Sequence, residues 1–167
     1  MTYALILTAL IDTQPFSTFE RLRRVHYPPE RNIVPAHLTL FHHLPGTEAD
    51  AIVRRLKAEA RGTPVFSARV AGLRNLGQGV AFRIESPELE DVRAGLADAF
   101  GFWLIPLDRQ RFSPHITIQN KVEPREAKAL YKLLSSTFSP WSFSVKGLTL
   151  WRYLGGPWEK LRDFRFR

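Results

Sequence analysis

Apolar residues along this chain recur with periods near two or near four, and the switches between those periods outline its elements. Residues 2–11 are almost continuously apolar, the pattern of a buried strand. Residues 16–26 carry Phe16, Phe19, Leu22 and Val25 on one helical face, with Arg21, Arg23 and Arg24 around it. Tyr27-Pro28-Pro29-Glu30 ends that helix, because proline removes a donor and restricts the residue before it. Residues 36–42 alternate as a strand, and Pro45-Gly46 makes a turn. Thr47 is expected to cap a helix over 48–61, whose apolar stripe includes Ile52, Val53 and Leu56. Residues 66–76 and 79–85 read as a hairpin around Gly77-Gln78-Gly79. Pro87 leads into a helix over 88–102. A short strand or loop over 104–112 precedes a strand over 113–119, and Pro124 opens a helix over 125–138. Residues 142–153 and 158–167 then form a closing hairpin around Gly155-Gly156-Pro157. Divided near residue 85, the order repeats: strand, helix, hairpin. This is a candidate internal duplication.

The repeated strands carry nearly the same four residues, His37-Leu38-Thr39-Leu40 and His115-Ile116-Thr117-Ile118, with Pro35 and Pro114 close before them. Side chains alternate between the faces of a strand, so His and Thr share one face and the aliphatic pair points into a core. Residue frequencies predict ~0.03 chance matches to His–aliphatic–Ser/Thr–aliphatic, so two such tetrads call for an explanation beyond composition. Side by side, the strands would set two imidazoles and two hydroxyls around one point.

The chain has 167 residues, 44% hydrophobic and 24% charged, which describes one globular domain over 1–167 built as two lobes. It has no cysteine, which excludes disulfides, thiol nucleophiles and thiolate metal sites. No apolar run is long enough to span a bilayer, and residues 1–10 lack a basic leader, so neither a membrane anchor nor a signal peptide is expected. A cytoplasmic location fits. The net charge of +8 favours an anionic, phosphate-bearing partner.

Histidine is the side chain best suited to exchanging protons near neutral pH. Cleaving or forming a phosphodiester needs a base at the nucleophile and an acid at the leaving oxygen. Two imidazoles flanking one phosphorus supply both and exchange roles in reverse. Thr39 and Thr117 can each donate to a non-bridging oxygen, where charge builds. The scheme needs no metal or other cofactor.

With these tetrads the chain resembles the 2H phosphoesterase superfamily, which includes 2′-5′ RNA ligases and RNA cyclic phosphodiesterases. That family is defined by two His–hydrophobic–Thr/Ser–hydrophobic motifs, which His37, Thr39, His115 and Thr117 match position by position. Arg111-Phe112-Ser113-Pro114 before the second motif is also similar. So is Arg31-Asn32-Ile33-Val34-Pro35-Ala36 before the first, although Ala36 stands where proline is frequent. The resemblance implies an α+β fold of two pseudo-symmetric lobes. Each lobe is an antiparallel sheet with helices packed outside, and the motifs face each other across a central cleft. It also implies a metal-independent phosphodiesterase, or a ligase in reverse, acting on 2′,5′-linked or 2′,3′-cyclic phosphates of RNA or small nucleotides. His37 and His115 would share the acid and base roles. The alternative is a non-catalytic module that holds RNA or a nucleotide in the same cleft. A monomer is expected.

Other residues are candidates for contacting substrate. On a continuing strand His43 shares a face with His37 and Thr39, while His42 falls on the aliphatic face and is expected to be packed. A zinc site from His37 and His43 lacks a clear third ligand. Lys121 follows the second tetrad and could meet a phosphate, Tyr153 could stack on a base, and Phe112 flanks the second motif.

Overall fold

The computed structural model describes residues 2–167. Its strands are β1 (Ala4–Ile11), β2 (Thr39–Pro45), β3 (Phe66–Asn75), β4 (Val80–Glu85), β5 (His115–Gln119), β6 (Trp141–Tyr153) and β7 (Glu159–Arg165). Its helices are α1 (Thr13–His26), α2 (Ala49–Gly62), α3 (Pro87–Phe100), α4 (Pro106–Arg109) and α5 (Pro124–Thr137). Proline opens α3, α4 and α5 in the first turn, where a missing N–H costs nothing. The Ser86 hydroxyl caps α3 by accepting from Leu89 N at 3.2 Å.

Every strand pair is antiparallel, in the order β2-β1-β6-β3-β4-β5, with β7 also on β6. The α+β architecture expected from the sequence is therefore present. The long strand β6 organises it: β1 lies along one edge, and the other edge is shared by β3 over residues 141–145 and β7 over 147–152. Two groups of strands result, β2-β1-β6-β7 and β5-β4-β3-β6, joined through β6 into one hydrogen-bonded sheet.

The grouping crosses the chain's halves. The hairpin β3–β4 of the first half pairs with β5, which carries the second tetrad. The closing hairpin β6–β7 pairs through β1 with β2, which begins within the first. The motif strands thus sit at opposite ends of the strand order, yet an antiparallel bridge joins Leu38 to Ile116. The sheet curls until its two ends meet, and this closure brings the tetrads together.

Two local expectations change. Thr47 lies in a 3₁₀ turn, Gly46–Glu48, and caps no helix; the residue preceding α2 is Glu48. The stretch 104–112 contains the short helix α4 rather than a strand. At the β3–β4 turn, Gly77 adopts φ 92° and Gly79 lies so close to β5 that a Cβ there would sit 2.0 Å from the Gln119 carbonyl oxygen. Glycine at 79 is therefore what lets the hairpin lie against the second motif strand.

Leu5 and Leu7 of β1, Leu40, Phe41 and Leu44 of β2, Ile116 and Ile118 of β5 and Leu148 of β6 form the core with α1 and α2. Phe19 of α1 is fully buried, stacked on Trp141 at 5.5 Å and tilted against Phe82 at 5.5 Å. No helix among the described residues is long and apolar enough to cross a membrane.

Candidate active site

The strand period orients both tetrads. Leu38, Leu40, Ile116 and Ile118 are no more than 1% exposed, whereas His37, Thr39, His115 and Thr117 are partly exposed and line one cavity of about 220 Å³. His37 stands just before β2, positioned by Pro35 and by the Leu38 bridge to β5. The remaining walls are Ile6, His42 and Trp158.

Helix α1 ties the two motifs to one another. Glu20 Oε1 accepts from Ala36 N at 2.7 Å, immediately before His37. Three residues on, the buried Arg23 donates from Nη1 to the Thr117 carbonyl at 2.9 Å and from Nε to Asn32 Oδ1 at 3.1 Å. One helical turn therefore fixes the approach to the first motif and the backbone of the second.

The imidazoles are held alike. His37 Nδ1 lies 2.8 Å from the Pro35 carbonyl oxygen and His115 Nδ1 2.9 Å from that of Ser113, two residues upstream in both cases. A carbonyl can only accept, so Nδ1 carries the proton and Nε2 of the neutral ring is left with its lone pair. Burial pushes the His37 pKa down to about 4, against the opposing effect of the Pro35 carbonyl and helped by the charges of Arg23, His115 and His42. The His115 pKa is also lowered, chiefly by burial and further by Arg74 and His42. Both rings are thus neutral and basic at neutral pH. The His37 ring packs against Trp158 at 4.6 Å between centroids, and Trp158 meets Trp151 edge-on at 5.9 Å.

β2 departs from regular alternation. Thr8 faces Thr39, Leu7 faces Phe41 and Leu5 faces Leu44, so β2 takes an extra residue at each of two register shifts. Such bulges re-aim side chains. Phe41 turns into the core beside Leu40, and His42, expected on the packed face, lines the cavity instead. Asp108 of α4 secures this geometry. Its carboxylate, 1% exposed, accepts from His42 N at 2.9 and 3.0 Å, from His43 N at 3.0 Å and from His42 Nδ1 at 2.9 Å. Burial raises the Asp108 pKa, but these hydrogen bonds outweigh it and hold the carboxylate below its ordinary value.

Four further candidates lie elsewhere. His43 is exposed and only its backbone N–H reaches Asp108, because the bulges exchanged its place with that of His42. Lys121 follows the end of β5 in a turn with φ 64°, so the alternation from Thr117 no longer governs it. Tyr153, 40% exposed, pairs with Ala4 at the end of β6, beyond Trp151, and does not line the cavity. Phe112 lines an adjoining cavity, with the Arg93 guanidinium 5.3 Å from its ring centre. No group of three or more His, Cys, Asp or Glu side chains that could hold a metal ion occurs among the described residues.

His42 and Trp158 of the wall, and Asp108 behind His42, are the site residues that the sequence pattern did not reveal. A bulge leaves no mark in a hydrophobic period, Asp108 lies in a stretch without periodicity, and Trp158 follows a glycine turn as an ordinary strand residue would.

Comparison with known proteins agrees with this architecture. No curated protein sequence matches the chain. Among solved structures it is similar to TT0787 of Thermus thermophilus, with TM-score 0.67 and 19% identity over 98% of both chains. It is similar to E. coli LigT complexed with NADP+, with TM-score 0.63 and 20% identity over 99% of both. Kluyveromyces marxianus Usb1 is more distant, at TM-score 0.52 and 14% identity over 99% of this chain and 98% of that one. At these identities the likeness concerns the fold. The sequence itself matches the family model of the 2′-5′ RNA ligase superfamily over residues 11–157, a span that includes both His/Thr tetrads, and the chain belongs to that superfamily.

Proposed function

We propose that the protein is a metal-independent phosphodiesterase acting on 2′,3′-cyclic or 2′,5′-linked phosphates of RNA or small nucleotides, and able to ligate in reverse. The observation that carries this reading is the matched pair of imidazoles, each with Nδ1 committed to the carbonyl two residues upstream and each beside a threonine in one cavity. Such a pair is what in-line displacement at phosphorus requires.

With a 2′,3′-cyclic phosphate between them, one neutral imidazole takes a proton from water at Nε2 as the water oxygen bonds to phosphorus. The opposite imidazole, protonated at Nε2, gives its proton to the ribose oxygen whose bond to phosphorus breaks. A phosphomonoester results. A 5′-hydroxyl in place of water follows the same proton path to a phosphodiester, and the reverse cleaves it. Thr39 and Thr117 hydroxyls donate to the non-bridging oxygens, where they stabilise the charge that develops. The phosphodiester anion itself favours protonation of the imidazole that serves as acid. The nucleotide class is supported by the basic charge of the chain and by the complexes of E. coli LigT with 3′-AMP and NADP+.

The test is turnover of adenosine 2′,3′-cyclic phosphate with product analysis, in the presence and absence of EDTA. Release of a single phosphomonoester, undiminished by EDTA, is expected. Retention of the cyclic nucleotide without turnover would instead favour the binding module.

A further inference from the structure

A second cavity of about 190 Å³ opens off the central one and shares Thr39, His42 and His115 with it. Its walls include Arg74, Arg93 and Arg111 against a single acid, Asp108. That acid is not available to them as a surface partner. It is 1% exposed, and both its oxygens are taken by the backbone of His42 and His43 and by the His42 ring.

The three arginines differ. Arg93, 8% exposed, is built into the wall: Nε donates to the Leu40 carbonyl at 2.9 Å, Nη2 to the Asp108 carbonyl at 2.6 Å, and its guanidinium lies 4.2 Å from the Phe41 ring centre. Arg74 and Arg111 are exposed. Arg74 reaches only the Ser113 hydroxyl, at a long 3.4 Å. Among the described residues, neither has a carboxylate within ion-pair distance. Farther from the cavity on the same hairpin, Arg69 and Arg83 both pair with Glu85. On that hairpin Arg74, the one at the cavity, is therefore the guanidinium left without a carboxylate.

We propose that this arm is a second phosphate subsite, in which Arg74 and Arg111 take a phosphate on the nucleoside whose first phosphate lies between the histidines. The substrate is then a nucleotide carrying at least two phosphate groups, as in an oligonucleotide end, rather than a cyclic mononucleotide. Guanidinium is suited to the task, since its planar fork donates two hydrogen bonds to one phosphate. His42, its ring fixed by Asp108, stands at the junction of the two cavities. This proposal rests on the phosphodiesterase reading for the first phosphate.

Calorimetric titration with adenosine 2′-monophosphate and adenosine 2′,5′-bisphosphate, at one fixed ionic strength, tests it. The readout is the ratio of the two affinities, which needs no turnover. The wild-type protein should prefer the bisphosphate about tenfold or more, the range of a charge-assisted contact. Combining Arg74→Gln with Arg111→Gln should bring the ratio close to one, with the melting temperature reporting that the fold is kept. Combining Arg125→Gln with Lys128→Gln removes the same charge from the exposed face of α5 and should leave the preference in place. A wild-type ratio near one, a preference that survives in the Arg74/Arg111 variant, or an equal loss in the α5 variant would overturn the subsite. If the ratio is near one but the cyclic nucleotide is hydrolysed, only the arm falls. If wild-type protein binds neither nucleotide and leaves the cyclic one intact, the phosphodiesterase reading falls with it.

Discussion

Acidification from about pH 7 to about pH 4 should destabilise the wild-type protein by about 3 kcal/mol more than it destabilises His37→Asn. The His37 ring is held neutral chiefly by burial, packed on Trp158, and Arg23, His115 and His42 oppose a further positive charge, while the Pro35 carbonyl that accepts from Nδ1 pulls the other way. Its pKa stands at about 4, against 6.5 for the free side chain. The gap of about 2.5 units, at about 1.4 kcal/mol per unit, gives roughly 3 kcal/mol. The unfolded chain binds this proton below about pH 6.5, but the folded protein binds it only near pH 4, so across that window the unfolded state carries more protons. The contribution is complete above about pH 6.5 and lost as the pH falls toward the folded value. A domain has about 5–15 kcal/mol to lose, so the effect is large enough to measure. Asparagine keeps a donor near the Pro35 carbonyl and does not titrate. Urea unfolding of both proteins across this range, compared at constant denaturant slope, is the assay. Parallel profiles, separated by the same amount at every pH, would refute the reasoning that burial keeps His37 neutral.

Replacing Thr39 or Thr117 by valine keeps the shape and removes one hydroxyl donor; each should lower kcat by about 10²-fold in steady-state assays while changing KM much less. Asp108→Asn leaves a buried backbone N–H of His42 or His43 facing an amide; it should cost about 2–4 kcal/mol, read as a melting temperature lower by roughly 5–15 °C. Phe19→Ala removes a fully buried ring from the contact between α1 and the sheet and should cost about 3–5 kcal/mol in urea unfolding.

The sequence was most informative where a period acts locally. The tetrads showed which residues face the core and which face outward, because Leu38, Leu40, Ile116 and Ile118 obey the strand alternation without interruption. Most helices and both hairpins were legible from proline, glycine and apolar spacing. Alternation failed at His42 and His43, because two bulges in β2 shift the register and a carboxylate 65–66 residues away holds them there. The exchange of hairpins between the halves was hidden for the same kind of reason. Which strand pairs with which is decided by closure of the whole sheet through β6, and no local pattern reports it. Arg23 read only as one of three basic residues around the apolar face of α1, yet it is buried and bonded to the Thr117 carbonyl. Polar residues that serve backbone groups of distant segments leave no periodic trace.

The central claim is that His37 and His115 act as one unit on a single phosphorus. The most direct test is kcat/KM for 2′,3′-cyclic phosphate hydrolysis by wild-type protein, His37→Ala, His115→Ala and the double variant. Each single variant should lose about 10²–10⁴-fold. The double variant should lose little more than either, because residues that act together are not additive. Full activity in either single variant, or losses that multiply in the double variant, would contradict the account.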